Sequence, residues 1–231
     1  MKLKPLVALI VLALPWRLRL FLLRRMGHQL DDSARIGFSI VICEHINMGE
    51  NARIGHFNVI RDLTYIELED HSHIGNWNWI TSAKEFRQTG RSGAGSLRMA
   101  ESSAITSRHY IDCSGGVSIG HHSLIAGVRS TVLTHQIDVN INRQTIAAVT
   151  IGSYCLISSG VSVVPGTSIA DNSLVAMGSV ARGEILPSGF LWAGVPCARK
   201  GPVSGEWFRR ETERTEVGIA TSPGDQDVSN D

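Results

Sequence analysis

Nine histidines are spread through the 231-residue chain, and His135 stands in a different kind of place from most of them. His45, His56, His71, His73, His121 and His122 fall at exposed or corner positions of a repeating pattern, where solvated turn residues are expected. His135 lies where that pattern breaks, in Thr134-His135-Gln136-Ile137-Asp138. An imidazole with an ordinary pKa of about 6.5 can take a proton from a hydroxyl near neutral pH. Asp138 could orient that loop or a substrate, or simply cap the loop. His109 and Asp112, in Arg108-His109-Tyr110-Ile111-Asp112, are candidate substrate-binding residues; the plainer reading is a buried hydrogen-bonded pair. Arg182, Arg199 and Lys200 suit phosphate groups, which guanidinium and ammonium ions pair well, unless they are solvated surface charge.

Other chemistries find less support. Cys43, Cys113, Cys155 and Cys197 lie far apart, with no CxxC pair and no histidine pair five positions apart, so no metal site is expected. The cysteines read as reduced, small buried thiols of a cytosolic protein. With 22 basic and 21 acidic side chains, the net charge of +1 offers no basic field for nucleic acid.

What must position these groups is a repeat. An aliphatic residue recurs at every sixth position through Ile36, Ile42, Met48, Ile54 and Ile60, then Leu68, Ile74 and Ile80. It returns at Met99, Ile105, Ile111 and Val117, then at Ile119 and Ile125, and finally at Ile151, Ile157, Val163, Ile169 and Val175. The next residue is often small, as in Ile54-Gly55, Ile74-Gly75 and Ile151-Gly152. A helix places sixth neighbours on opposing faces and a half-buried strand alternates with period two, so neither explains this. A period of six fits a coil with three flat faces and one inward aliphatic residue per face. Stacked coils then pair as parallel strands about 4.8 Å apart, and the array is stable only as a stack. The fold class expected is all-β, a parallel β-helix over residues 32–202.

Two stretches interrupt the period and read as extruded loops: 83–97, polar and glycine-rich, and 134–148. Binding and catalysis usually sit on such loops. Residues 1–31 form a separate N-terminal segment. The apolar run Pro5–Leu14 is too short to span a bilayer at about 20 residues per crossing. The arginines at 17, 19, 24 and 25 follow it, bracketed by Pro15 and Gly27 in what reads as a cationic amphipathic helix. That helix could lie on an anionic membrane through residues 1–27, or cap the open end of the domain and bury its leucines. Residues 203–231 lose all periodicity and read as a disordered tail.

The repeats resemble those of the hexapeptide-repeat acyltransferases, from about Asp32 to Lys200. Val149 onward is similar to the C-terminal half of galactoside and maltose O-acetyltransferases, above all in the stretches IADNSLVAMGSVA and AGVPCAR. The block from Ser107 to Asp138 is similar to acyltransferases of surface-polysaccharide synthesis. The resemblance implies a left-handed β-helix, a homotrimer with active sites between subunits, and acetyl-CoA as co-substrate. It implies transfer of an acetyl group to a sugar hydroxyl, with His135 as general base, in the cytoplasm or peripherally on the inner face of the membrane. Gln136 replaces the family's usual proline. Ser158, Ser159, Met177 and Gly178 match the lining of the coenzyme A channel, with Met177 where alanine is common; a Ser158–Ser159 N–H could meet the thioester oxyanion. Two alternatives stay open: a non-catalytic scaffold of the same repeats, or O-acetylation of a non-sugar acceptor such as serine.

Overall fold

A computed structural model describes residues 14–89, 92–185 and 187–211. Most of the apolar run after Lys4, and residues 212–231 of the tail, lie outside the described residues.

The chain winds into a left-handed parallel β-helix with three faces. One face stacks Arg35–Ile36, Arg53–Ile54, His73–Ile74, Ala104–Ile105, Leu124–Ile125, Leu156–Ile157, Leu174–Val175 and Phe190–Gly194 in register. The second carries Trp79–Thr81, Tyr110–Asp112, Thr131–Val132, Ser162–Val163 and Val180–Ala181; the third carries Ser96–Met99, Val117–Ile119, Val149–Ile151, Ser168–Ile169 and Glu184–Ile185. The long strands Ile40–Met48 and Val59–Leu68 turn the corner between the second and third faces and join them into one sheet.

The sixth-residue aliphatics are the core except at Ile42, which is half-buried while Cys43 turns inward at a register shift between the two. Ile54, Ile74, Ile105, Ile125, Ile157 and Val175 form one in-register column at 0–1 % exposure. Each such side chain contributes about 1.5–3 kcal/mol of burial, but only through the coils above and below it. The small residue that follows has a steric cause. A Cβ on Gly75 would sit 2.4 Å from the Thr106 carbonyl oxygen of the next coil. The left-handed corner conformation comes two residues later, at Phe57, Trp77 and Arg108.

Both interruptions leave from the corner between the second and third faces. The first contains a 3-10 turn, Lys84–Thr89, and ends sooner than its composition suggests, because Ser96 and Leu97 already pair with Tyr65 and Ile66. The second is an antiparallel hairpin, His135–Asp138 against Arg143–Ile146, rather than an irregular loop.

The helix α1, Trp16–Arg25, begins after Pro15 and is followed by Gly27 at φ +93°. Leu20 and Leu23 join the core, and the Arg19 guanidinium donates to the Gly37 carbonyl, so the inward half closes the end of the prism. The outward half leaves Arg17, Leu18, Phe21 and Arg25 exposed. Among the described residues no helix is long and apolar enough to cross a membrane. The first residues of the segment read as a disordered tail, 203–211, are instead placed: they include the 3-10 turn Glu206–Arg209, and the Arg210 guanidinium donates to the His122 carbonyl.

Candidate active site

His135 opens the projecting hairpin, one coil above Asp112. The Asp112 side chain is 2 % exposed, and its Oδ2 lies 2.8 Å from His135 Nδ1. The same oxygen accepts from the Thr134 N–H at 2.9 Å, while Oδ1 accepts from the Ser114 N–H and hydroxyl at 3.2 and 2.5 Å. The Thr134 hydroxyl accepts from Gly115 N–H and reaches both Asp112 Oδ2 and its carbonyl oxygen, to one of which it donates. Burial pushes the Asp112 carboxyl up, but the hydrogen bonds from Ser114, Thr134 and His135 outweigh it and hold the group below its usual range. A carboxylate is an acceptor, so His135 Nδ1 carries its proton toward Asp112. Nε2 is then left with a lone pair, on a side chain 37 % exposed. Phe86, from the first interruption, lies against the imidazole with ring centroids 5.9 Å apart.

The other expected residues divide. Asp138 accepts from the Asn140 N–H and so caps the turn of the hairpin. His109 is buried in the coil, with its hydrogen bonds made inside the prism. Its ring is 2 % exposed, with Nδ1 accepting from Ser130 N–H and Nε2 2.9 Å from the Thr106 hydroxyl. It is one rung of an internal ladder in which Asn58 accepts from Asn78 N–H and Asn78 from His109 N–H. Nor is it paired with Asp112, which lies at the far end of the strand that follows it, about 10 Å of extended chain away. Burial lowers the His109 pKa to about 4, so the ring is neutral at neutral pH.

Ser158, Ser159, Met177 and Gly178 share the corner between the first and second faces. There the Gly178 N–H donates to Ser159 O, and the Met177 residue is 73 % exposed. The Ser158 N–H donates to Val175 O and is not available to an oxyanion. Arg182 stands exposed at the opposite corner, above the hairpin. Arg199 and Lys200 are exposed on the C-terminal strand Cys197–Pro202, where the Arg199 guanidinium lies 5.0 Å from the Phe190 ring centroid. In one chain the histidine and the serine corner therefore occupy opposite edges of the second face. Among the described residues no group of His, Cys, Asp and Glu could hold a metal. Sequence reasoning missed Ser114 and Phe86. The serine two residues after the aspartate was a usable sign of a carboxylate-capping turn.

No protein-family model matches the chain. A Saccharomyces cerevisiae protein described as a candidate acetyltransferase is 42 % identical over 66 residues, covering 27 % of this chain and 33 % of its own. The chain thus matches about a third of that relative's length. The crystal structure of the polysialic acid O-acetyltransferase OatWY overlays with a TM-score of 0.59 at 13 % identity, over 87 % of this chain and 93 % of the other. A hexapeptide-repeat acetyltransferase of Vibrio cholerae complexed with acetyl-coenzyme A overlays at 0.41 and 15 % identity, over 86 % and 84 %. The repeat and the first of these overlays together give the chain a left-handed parallel β-helix fold, shared with that structure.

Proposed function

We propose that the chain is an acetyl-CoA-dependent O-acetyltransferase acting on a sugar hydroxyl, with a surface-polysaccharide precursor as the acceptor. The observation that carries this reading is the Asp112–His135 pair, which leaves Nε2 open on an otherwise hydrogen-bonded scaffold. Nε2 takes the hydroxyl proton as the oxygen attacks the thioester carbonyl carbon. The new C–O bond forms, the C–S bond breaks, and the proton passes from the imidazolium to the departing thiolate to give coenzyme A. Asp112 holds the tautomer throughout and faces the imidazolium between the two proton transfers.

A homotrimer fits this chemistry. The histidine and the corner proposed for coenzyme A lie at opposite edges of one face, so a neighbouring copy can bring one edge to the other. Ile137, Val139 and Ile141 on the hairpin are 57–83 % exposed in the single chain, as residues covered by a neighbour would be. Ser158, Ser159, Met177 and Gly178 would line the pantetheine arm, with Arg182, Arg199 and Lys200 toward the phosphates. Asp138 would touch acceptor or loop.

Calorimetric titration of the full-length protein with coenzyme A tests the reading. One site per chain is expected, with light scattering on the same sample giving three copies. A folded sample that binds no coenzyme A would leave only the scaffold alternative.

The outward half of α1, with Arg17 and Arg25 beside Leu18 and Phe21, further supports peripheral contact with the anionic inner face of a membrane. Full-length protein should sediment with vesicles containing anionic lipid and not with neutral ones. Phe21→Glu should reduce that binding without loss of solubility. Equal sedimentation by the variant would remove the membrane and leave α1 as an end cap alone.

A further inference from the structure

The outward residues of the first face form a single in-register column: Arg35, Arg53, His73, Ala104, Leu124, Leu156, Leu174 and Leu191. It is aliphatic toward the C-terminus and cationic at its first rungs. Like charges on neighbouring rungs about 4.8 Å apart repel. Elsewhere the chain resolves such a placement by pairing: Arg98 sits in register with Glu67 and bonds it at 2.7 Å. Among the described residues no carboxylate pairs with Arg53 or Arg35; Arg35 reaches only the carbonyls of Asp32 and Ala34 and the ring of Trp16. Arg53 and His73 line a groove of about 430 Å³, together with Asn51, His71, Asn76 and Ser107.

A second observation adjoins the first. The residue after Asn76 is Trp77, 57 % exposed and stacked on Phe57 with centroids 4.5 Å apart and planes at 23°. Both adopt the left-handed conformation, φ +62° and +59°, which is uncommon for bulky side chains. The corner does not demand aromatics. Higher on the same edge the corresponding sites are Gly160 and Gly178, and on the neighbouring edge Asn51 and Asn172 take the same φ. Two strained, solvent-facing rings beside an uncompensated guanidinium make a flat apolar ledge next to a cationic groove.

We propose that this groove and ledge form a binding site for an acidic saccharide, separate from the His135 cleft. The carboxylate or phosphate of one sugar pairs with Arg53, and the C–H face of the adjoining sugar packs on the Trp77–Phe57 stack. The site does not depend on acyl transfer: it is built on the first coils, away from Asp112, His135 and the serine corner.

Calorimetry of the full-length protein with tetragalacturonate, and with neutral maltotetraose for comparison, tests the proposal. Saturable binding of the acidic probe and weaker binding of the neutral one are expected. Arg53→Gln, which removes a charge-assisted contact, and Trp77→Asn, which removes the apolar ledge, should each weaken tetragalacturonate about tenfold. Arg98→Gln, removing a cation already paired to Glu67, should leave binding unchanged. Coenzyme A affinity should be the same in all three variants, so failure of the acyltransferase reading would show separately. Absence of saturable tetragalacturonate binding, or equal affinity in Arg53→Gln, would overturn the site. So would a change in the number of copies on Trp77→Asn, which would make the ledge an interface between chains.

Discussion

Replacing His135 with alanine should lower kcat by about 10²- to 10⁴-fold, the usual contribution of a positioned general base, and leave coenzyme A affinity nearly unchanged. The separation follows from geometry. Ser158, Ser159, Met177 and Gly178, proposed for the pantetheine arm, lie on the other edge of the second face, and none of them hydrogen-bonds to the imidazole. Folding should tolerate the change. The imidazole is more than a third exposed, and the buried Asp112 carboxylate keeps its bonds from Ser114 and Thr134. The assay is acetyl-CoA-dependent acetylation of a panel of methyl glycosides, followed by release of free thiol, with thermal melting and coenzyme A calorimetry on the same preparations. Turnover near wild type would show that another group takes the proton. A joint loss of turnover and coenzyme A binding would make His135 a structural residue of the cleft.

The architecture was legible because a β-helix writes itself into sequence with a fixed period. Every inward position on a face must be aliphatic, and the face length sets the spacing at six. The periodicity even marks where the chain departs from the prism, and His135 stands out because it sits at such a departure. What the period cannot convey is which residues of different coils meet. Asp112 and Thr134 are 22 residues apart, but Asn58 and Asn78 are 20 apart and Asn78 and His109 are 31 apart, because insertions lengthen some coils. Ser114 and Phe86 could therefore not be assigned to His135 by counting.

The direction of corner side chains was equally hidden. His109 follows Arg108 at φ +63°, and that left-handed step turns the next side chain inward, as it does for Asn58 after Phe57 and Asn78 after Trp77. A polar residue at that place accepts the next coil's N–H, so its type reports a backbone requirement rather than chemistry on a substrate. The two readings of the N-terminal helix, end cap and interfacial helix, draw on different halves of its surface. Burial of Leu20 and Leu23 on one side and exposure of Leu18 and Phe21 on the other leave both compatible in one element.

Asp112→Asn should reduce kcat on the order of 10²-fold or more with little change in KM for acetyl-CoA, although no atom of Asp112 need touch a substrate. An amide in this place offers one acceptor where the carboxylate offered two. If its oxygen faces Thr134 and His135, its NH2 meets the Ser114 N–H, donor against donor. If its NH2 faces His135, Nδ1 must accept, the ring proton moves to Nε2, and the open nitrogen can no longer take a proton. Nitrogen-15 spectra of the histidine side chains distinguish these arrangements. Wild type should show His135 protonated on Nδ1, and the variant on Nε2 where the NH2 faces the ring, a change that simple loosening of the cleft would not produce. The variant should also be less stable by about 1–3 kcal/mol at neutral pH, the cost of an unmet buried hydrogen bond. The sign with pH is fixed by the depressed carboxyl. Its stabilisation is fully present above the unfolded carboxylate pKa near 3.8 and is lost as pH falls through the lower folded value, so the gap between wild type and variant should narrow in acid. An unchanged tautomer together with full activity would release Asp112 from any role in positioning the base and leave it as a turn-capping carboxylate for Ser114 and Thr134.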